Sequence, residues 1–347
     1  MDQKPYKTID EQVEILKDRG LIISDEDYAK RCLTQLNYYR LSGYTLTLRK
    51  NNSFYKNITF ENVMDIYNFD RQLKLYVLNY LEDIEISLRT HIGYILGSMD
   101  SDKPAYLNAG CYISDAHYNR VLEELKDALA DSKNEAFVKH HQTKYRGSLP
   151  SWVMVETLSF GALSRLFSSL KQDIKCDICD AYYNQIRPQV VENLLEGLVV
   201  LRNICAHHSR IYNRGIPNTP KMSKVDNDFF IDNGYERNEI GKKLFFRLVI
   251  IDRLIEDANF LSKMISDIDA LSYKYPFVQL RHYGFKVDWK NMVSEINKQY
   301  KQNKSPHLWE LMYKGCMIQP SVATELYHLS PKKSIFGYLY ALNLTNL

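Results

Sequence analysis

The stretch Leu201-Arg202-Asn203-Ile204-Cys205-Ala206-His207-His208-Ser209-Arg210-Ile211-Tyr212-Asn213 sets an arginine, an asparagine and two histidines within seven residues. An imidazole exchanges protons near neutral pH, and a guanidinium fork holds a phosphate through paired donors. RNA cleavage by its own 2′-hydroxyl needs those parts. In that chemistry His207 is general base for the 2′-hydroxyl or general acid for the leaving 5′-oxygen, a role contributing roughly 10²–10⁴-fold. Arg202 stabilises the charge building on the phosphorane, and Asn203 orients His207 by a hydrogen bond across one turn. Such attack calls for no metal and no other cofactor. It leaves 2′,3′-cyclic phosphate ends and is closed to DNA, which lacks the hydroxyl.

The signature must be positioned by the helix that runs into it. Val191, Leu194, Leu195, Leu198, Leu201 and Cys205 recur at helical spacing after Pro188. At about 100° per residue Arg202 falls inside this apolar stripe, while Asn203 and His207 lie together about 140–180° away. A straight helix therefore separates Arg202 from His207. Three arrangements reunite them: the helix kinks or ends near Ala206, the arginine reaches round its own backbone, or two copies of the motif pool their residues. An arginine on an apolar stripe needs a partner. The stripe Leu73, Val77, Leu81, Ile84, Leu88, Ile92, Ile95 marks a second long helix over 60–97, with Glu85 at its edge and Arg89 one turn on. The two helices are expected to pack together, with Glu85 meeting Arg202 or Arg89.

Each residue also has a plainer use. His207 alone fits a hydrogen-bonded structural histidine, and Arg202 a structural ion pair. The wheel turns His208 back toward the apolar stripe, which favours packing over a second imidazole in the site. Arg210 and Asn213 suit RNA phosphate, or in the arginine's case the free carbonyls of a helix end. Tyr38-Tyr39-Arg40 with Tyr44 has the composition of a single-strand stacking platform, or of an aromatic corner closing the front helices. Glu156 is open between an ion pair with the site arginine and a packing turn at Ser159-Phe160-Gly161. That stretch lacks the Gly-x-Ser-x-Gly elbow of a serine hydrolase. His140-His141 reads as solvated surface. Cys176-Asp177-Ile178-Cys179 is a lone CxxC, expected to be two ordinary helix thiols.

Arg202-Asn203-x-x-x-His207 resembles the Arg-x4-6-His motif of HEPN ribonucleases. The run from Arg202 to Arg210 resembles the Abi-like family of bacterial abortive-infection proteins, of the AbiD/AbiF type. Three further segments match that family's pattern: Tyr38-Tyr39-Arg40-Leu41-Ser42-Gly43-Tyr44; Phe69-Asp70-Arg71-Gln72-Leu73 with Ile84-Glu85-Ile86-Ser87-Leu88-Arg89-Thr90; and Glu156-Thr157-Leu158-Ser159-Phe160-Gly161-Ala162-Leu163-Ser164. The resemblance implies a metal-independent endoribonuclease that cuts RNA during phage infection and is held inactive until triggered, by a toxin–antitoxin arrangement with a regulatory RNA or protein. It implies catalytic Arg202, Asn203 and His207, support from Glu85, Arg89 and His208, and RNA contacts at Arg210, Asn213, Tyr39 and Arg40. It also favours a homodimer with a composite site. The competing reading is a non-catalytic RNA-binding module of HEPN type, and a third is a partner-sensing protein with Arg202 as a buried anchor.

The composition fits this picture without demanding it. At 347 residues, 45% hydrophobic and 25% charged, the chain can bury a sizeable core. A net charge of +3 leaves any nucleic-acid surface to local clustering. No run approaches the roughly 18 apolar residues of a membrane span, Met1-Asp2-Gln3-Lys4-Pro5 has no apolar signal region, and six cysteines make no disulfide framework. The cytoplasm is expected, with no membrane and no DNA partner. With 14 Gly and 10 Pro, long stretches carry helical period. Helices are expected over 8–19, 25–39 (with Ser24 and Asp27 as start signal), 60–97 (capped by Thr59), 115–142, 152–170, from 188 into the signature, and over 240–268. Loops are expected at Asn51-Asn52-Ser53 and over 213–233. The expected fold is all-α: a HEPN-like helical bundle with additional N- and C-terminal helices, divided as 1–58, a core 59–260 bearing the motif, and 261–347. In the last part Trp289 and Trp309, near Lys286, Lys290, Lys301 and Lys304, are expected in the core rather than stacked on bases.

Overall fold

Thr59 opens the central element. Its side chain accepts from the Asn62 amide while Asn62 reaches back to the Thr59 amide, so both ends of this capping box are closed. The helix it starts, Phe60–Ser98, runs 39 residues, about 58 Å at 1.5 Å per residue. Around it the computed structural model, which describes residues 5–302, is all-α. The helices are α1 Ile9–Asp18, α2 Glu26–Gln35, α3 Tyr38–Ser42, α4 Phe60–Ser98, α5 Asp115–Asp131, α6 Ala136–Lys144, α7 Ser151–Met154, α8 Phe160–Ser169, α9 Gln172–Tyr182, α10 Pro188–Ala206, α11 Lys224–Asp232, α12 Leu244–Leu254, α13 Phe260–Lys274 and α14 Trp289–Gln302.

Among the described residues the only paired strands are Arg49–Lys50 and Ser53–Phe54, an antiparallel hairpin. Asn51 and Asn52 between them both have positive φ, 50° and 66°. The expected loop is thus a two-residue turn, built from the residue type that best tolerates that conformation after glycine.

The stripe that predicts α4 is its buried face. Leu73, Val77, Leu81, Ile84, Leu88 and Ile92 are all buried, and α7, α8, α9, α10, α12 and α13 pack against the helix. Four expected helices are broken. The 25–39 helix starts from Asp25 rather than Ser24 and stops at Leu36, because Asn37 caps a new helix by accepting from the Tyr39 amide. The 115–142 helix breaks at Ser132, where the Glu135 amide closes a turn on the Ser132 carbonyl. The 152–170 helix breaks at extended Leu158, and Ser159 caps α8. The 240–268 helix breaks at Ile255, followed by a turn in which Asp257 Oδ1 accepts from the Asn259 amide.

The CxxC pair lies on a helix, as expected, and one further helix lies where none was expected. α9 carries Cys176 and Cys179. α11 lies inside the expected 213–233 loop, closed by a Ser223/Asp226 capping box, with Asp226 buried and paired to Arg253 at 3.0 Å. All eleven residues of α12 are buried, including Arg247. Trp289 is buried edge-on to Phe285, while Trp309 and Lys304 lie outside the described residues. No helix among the described residues is long and apolar enough to cross a membrane.

Candidate functional site

The signature is the capped end of α10. The helix stops at Ala206, His207 takes φ −85°, ψ 13°, and His208 turns left-handed at φ 55°. The Ser209 amide then bonds back to the Ile204 carbonyl at 2.9 Å and the His208 amide to the Cys205 carbonyl at 3.0 Å. These two bonds make a Schellman cap, in which glycine ordinarily occupies the left-handed position. A histidine there carries a strain of order 1–3 kcal/mol that its surroundings must hold.

Three side chains from other elements hold it. Arg40 of α3 donates from Nη1 to the His208 carbonyl at 2.7 Å. Lys74 of α4 donates to the Ser209 carbonyl at 3.2 Å. Asp70, fully buried one turn before Lys74, accepts from the amides of Ile211 at 3.3 Å and Tyr212 at 2.8 Å. Asp70 also accepts from the hydroxyls of Tyr44 and Tyr283 and from Lys74 itself. Burial together with the Asp70 charge pushes both tyrosine pKa values up, so these hydroxyls remain donors.

Of the three foreseen arrangements, the structure has the first: the helix ends at Ala206. His207 no longer obeys the wheel, and it is exposed together with Asn203 and His208. The packing use of His208 is therefore overturned, because the left-handed turn swings it off the helix surface. Arg202 is not inside the stripe either. Its side chain is 39% exposed, at the stripe's edge. Asn203 meets His207 through its backbone carbonyl, which accepts the His207 amide at 2.9 Å. Among the described residues no hydrogen bond joins the Asn203 side chain to His207, contrary to the orienting role expected of it.

Glu85 stands between two arginines. Its Oε1 accepts from Arg89 Nη2 at 3.2 Å, and its Oε2 lies 3.9 Å from Arg202 Nε. The expected helix–helix contact is present and reaches both candidates. Arg89 is tied further to the carbonyls of Val155 and Leu158, and its Nε lies 3.8 Å from Glu156 Oε2. Glu156 therefore pairs with Arg89 rather than Arg202, while Ser159 independently caps the next helix. The result is a row, Glu156–Arg89–Glu85–Arg202, leading from the start of α8 to the end of α10.

The remaining residues divide. Tyr39 is 86% exposed while Tyr44 is fully buried, so the Tyr38–Tyr44 stretch is open surface at one position and core at the other. Arg210 donates to the Tyr212 carbonyl, and Asn213, at φ 48°, accepts from Lys243 at 3.4 Å. Cys205 packs beneath the signature, its thiol pushed up to about 12 by burial, and burial does the same to Cys179 of the CxxC pair. His140 and His141 cluster with Tyr145 away from these contacts.

Asp70 and Lys74 are the site-building residues that sequence reasoning passed over. Their signal was an Asp/Lys pair at i, i+4 among the buried positions Phe69, Leu73 and Val77. Charges do not enter such a face without partners to meet.

A model of the family described as Abi-like protein matches residues 31–213, a little over half of the chain. No curated protein and no solved structure matches it.

Proposed function

The chain belongs to the Abi-like protein family, and on that premise we propose that it is an abortive-infection protein of the AbiD/AbiF type, working as a HEPN-type endoribonuclease whose HEPN-like core spans 59–260. The observation that carries the reading is the pairing of Arg202 with Glu85 directly before the capped end that exposes His207. An arginine aligned by a carboxylate, yet more than a third exposed, is held in place without being taken out of use.

In this reading His207 accepts the proton of the 2′-hydroxyl or delivers one to the 5′-oxygen. Arg202 binds the non-bridging phosphate oxygens as their charge grows. Glu85 and Arg89 are positioning residues. Asn203 and His208 border the phosphate, and Arg210, Asn213, Tyr39 and Arg40 receive the flanking strand. Attack by the substrate's own hydroxyl supplies the nucleophile, so the residues need only move a proton and carry charge. Two copies of α10 meeting in a homodimer would pool two Arg202–His207 sets.

The non-catalytic RNA-binding module has one observation in its favour. The described residues give the His207 side chain no hydrogen-bond partner to fix its tautomer. End chemistry separates the two readings. RNA cut by the purified protein should carry 2′,3′-cyclic phosphate, and a substrate with 2′-deoxyribose throughout should stay whole. RNA that is bound but left intact identifies the module instead.

A further inference from the structure

Four cations from four separate stretches gather along the chain from His208 to Asn213, at the far end of the signature. Arg210 turns back on its own chain to the Tyr212 carbonyl, and its Nε lies 3.1 Å from where a side chain on Gly43 would begin. Lys243, the residue before α12, reaches Asn213 Oδ1. In the 3-10 turn Leu280–Tyr283, the His282 ring packs 5.1 Å from that of Tyr212, and the charge of Arg281 acts on both rings. Arg40 joins from α3 through the His208 carbonyl. Gly284 fixes this adjacency. Its φ is 94°, and a side chain there would begin 2.5 Å from Lys243 Cβ, so the turn can press on Lys243 only with glycine at this position.

The cluster lacks counter-charge. Among the described residues no carboxylate lies within salt-bridge distance of Arg40, Arg210, Lys243 or Arg281. Asp70, beneath them, is already engaged by two tyrosines, Lys74 and two backbone amides. Glu239 is the acid whose field reaches Lys243, yet burial and Arg210 hold the Lys243 pKa down all the same. His282 is held low by burial, Arg281 and Lys243, so it serves as a neutral ring rather than a fifth charge. Like charges gathered on a chain whose net charge is only +3 raise its energy until an anion spans them.

We propose that Arg40, Arg210, Lys243 and Arg281 form a track that grips the phosphodiester backbone of a single RNA strand beside the exposed end of α10. The proposal rests on the reading that RNA is the ligand, and it adds residues beyond 213, outside the family match. A strand on this track passes the His208 carbonyl at Arg40 and meets Tyr39, whose exposed ring offers a stacking face for a base.

The test is binding of a fluorescein-labelled 20-nucleotide RNA to the full chain carrying His207→Ala, which prevents cutting, measured across a salt series. Adding Lys243→Gln and Arg281→Gln should lower the slope of log K against log salt by about 1.4, two phosphates at about 0.7 each on a single strand. Lys126→Gln with Lys133→Gln, exposed on and just after α5, should leave it unchanged. An unchanged slope with RNA still bound overturns the track even if the wild type cuts RNA. No RNA binding at any salt also overturns it, and leaves the cluster to an acidic protein. A lowered slope in a protein whose wild type cuts nothing keeps the track and removes the ribonuclease reading.

Discussion

The carboxylate of Asp70 accepts the Tyr212 amide at 2.8 Å across 142 residues of sequence, and through that bond α4 holds the chain leaving His207 and His208. Five donors converge on this one fully buried side chain. Asp70→Ala leaves the Lys74 ammonium buried without its carboxylate, so the expected loss is about 3–5 kcal/mol, the usual cost of breaking a buried pair. Urea unfolding measures it as a fall in midpoint at constant m-value. A loss below about 1 kcal/mol would show that the hub does not hold the signature.

Glu85→Gln should act on activity rather than on folding. Arg89 keeps its bonds to the Val155 and Leu158 carbonyls, whereas Arg202 loses the one carboxylate paired with it among the described residues. Stability should change by less than about 1 kcal/mol, because the pair is partly exposed. The RNA cleavage rate should fall about tenfold, or roughly 1.4 kcal/mol in the barrier. Full activity in a folded Glu85→Gln protein would leave the Glu85–Arg202 contact without a part in catalysis.

Much of this was legible in the sequence, and the limits are physical. The stripe of α4, the Thr59 cap and the Glu85 contact follow from periodicity, because packing repeats with the helix. The helix breaks at Asn37, Ser159 and Asp257 are made by single side chains satisfying backbone groups, and that at Ser132 by a backbone turn; such bonds leave no period. The end of α10 was harder still. A left-handed His208 is a local strain held by Arg40, Lys74 and Asp70. All three lie more than 130 positions from the residues they hold, so no local pattern could show what holds the cap.

Acid should unfold the protein partly through His91. Its ring stacks on Tyr182 at 3.8 Å, its Nδ1 lies 3.3 Å from the Tyr183 hydroxyl, and burial pushes its pKa from 6.5 down to about 3. The folded imidazole is therefore neutral, while the unfolded chain takes up a proton as pH falls below 6.5. Stability from this residue is fully present above that value and is lost progressively toward pH 3, by about 2 kcal/mol at pH 5. His91→Phe keeps an aromatic ring against Tyr182 and removes the proton site. Denaturant unfolding at pH 7.5 and 5 should then show a smaller acid loss by about that amount. An equal loss in both proteins would clear His91 of the effect.

The central claim is that Arg202 and His207 cut RNA together. Its most direct measurement is gel-resolved cleavage of total cellular RNA by the purified wild type, Arg202→Ala and His207→Ala, all with EDTA present. Both side chains are at least partly exposed, so the variants should fold, with unchanged circular dichroism as the control. Discrete fragments from the wild type, reduced at least 10²-fold in each variant, are the predicted result. Fragments that persist in His207→Ala, or that EDTA abolishes in the wild type, would contradict it.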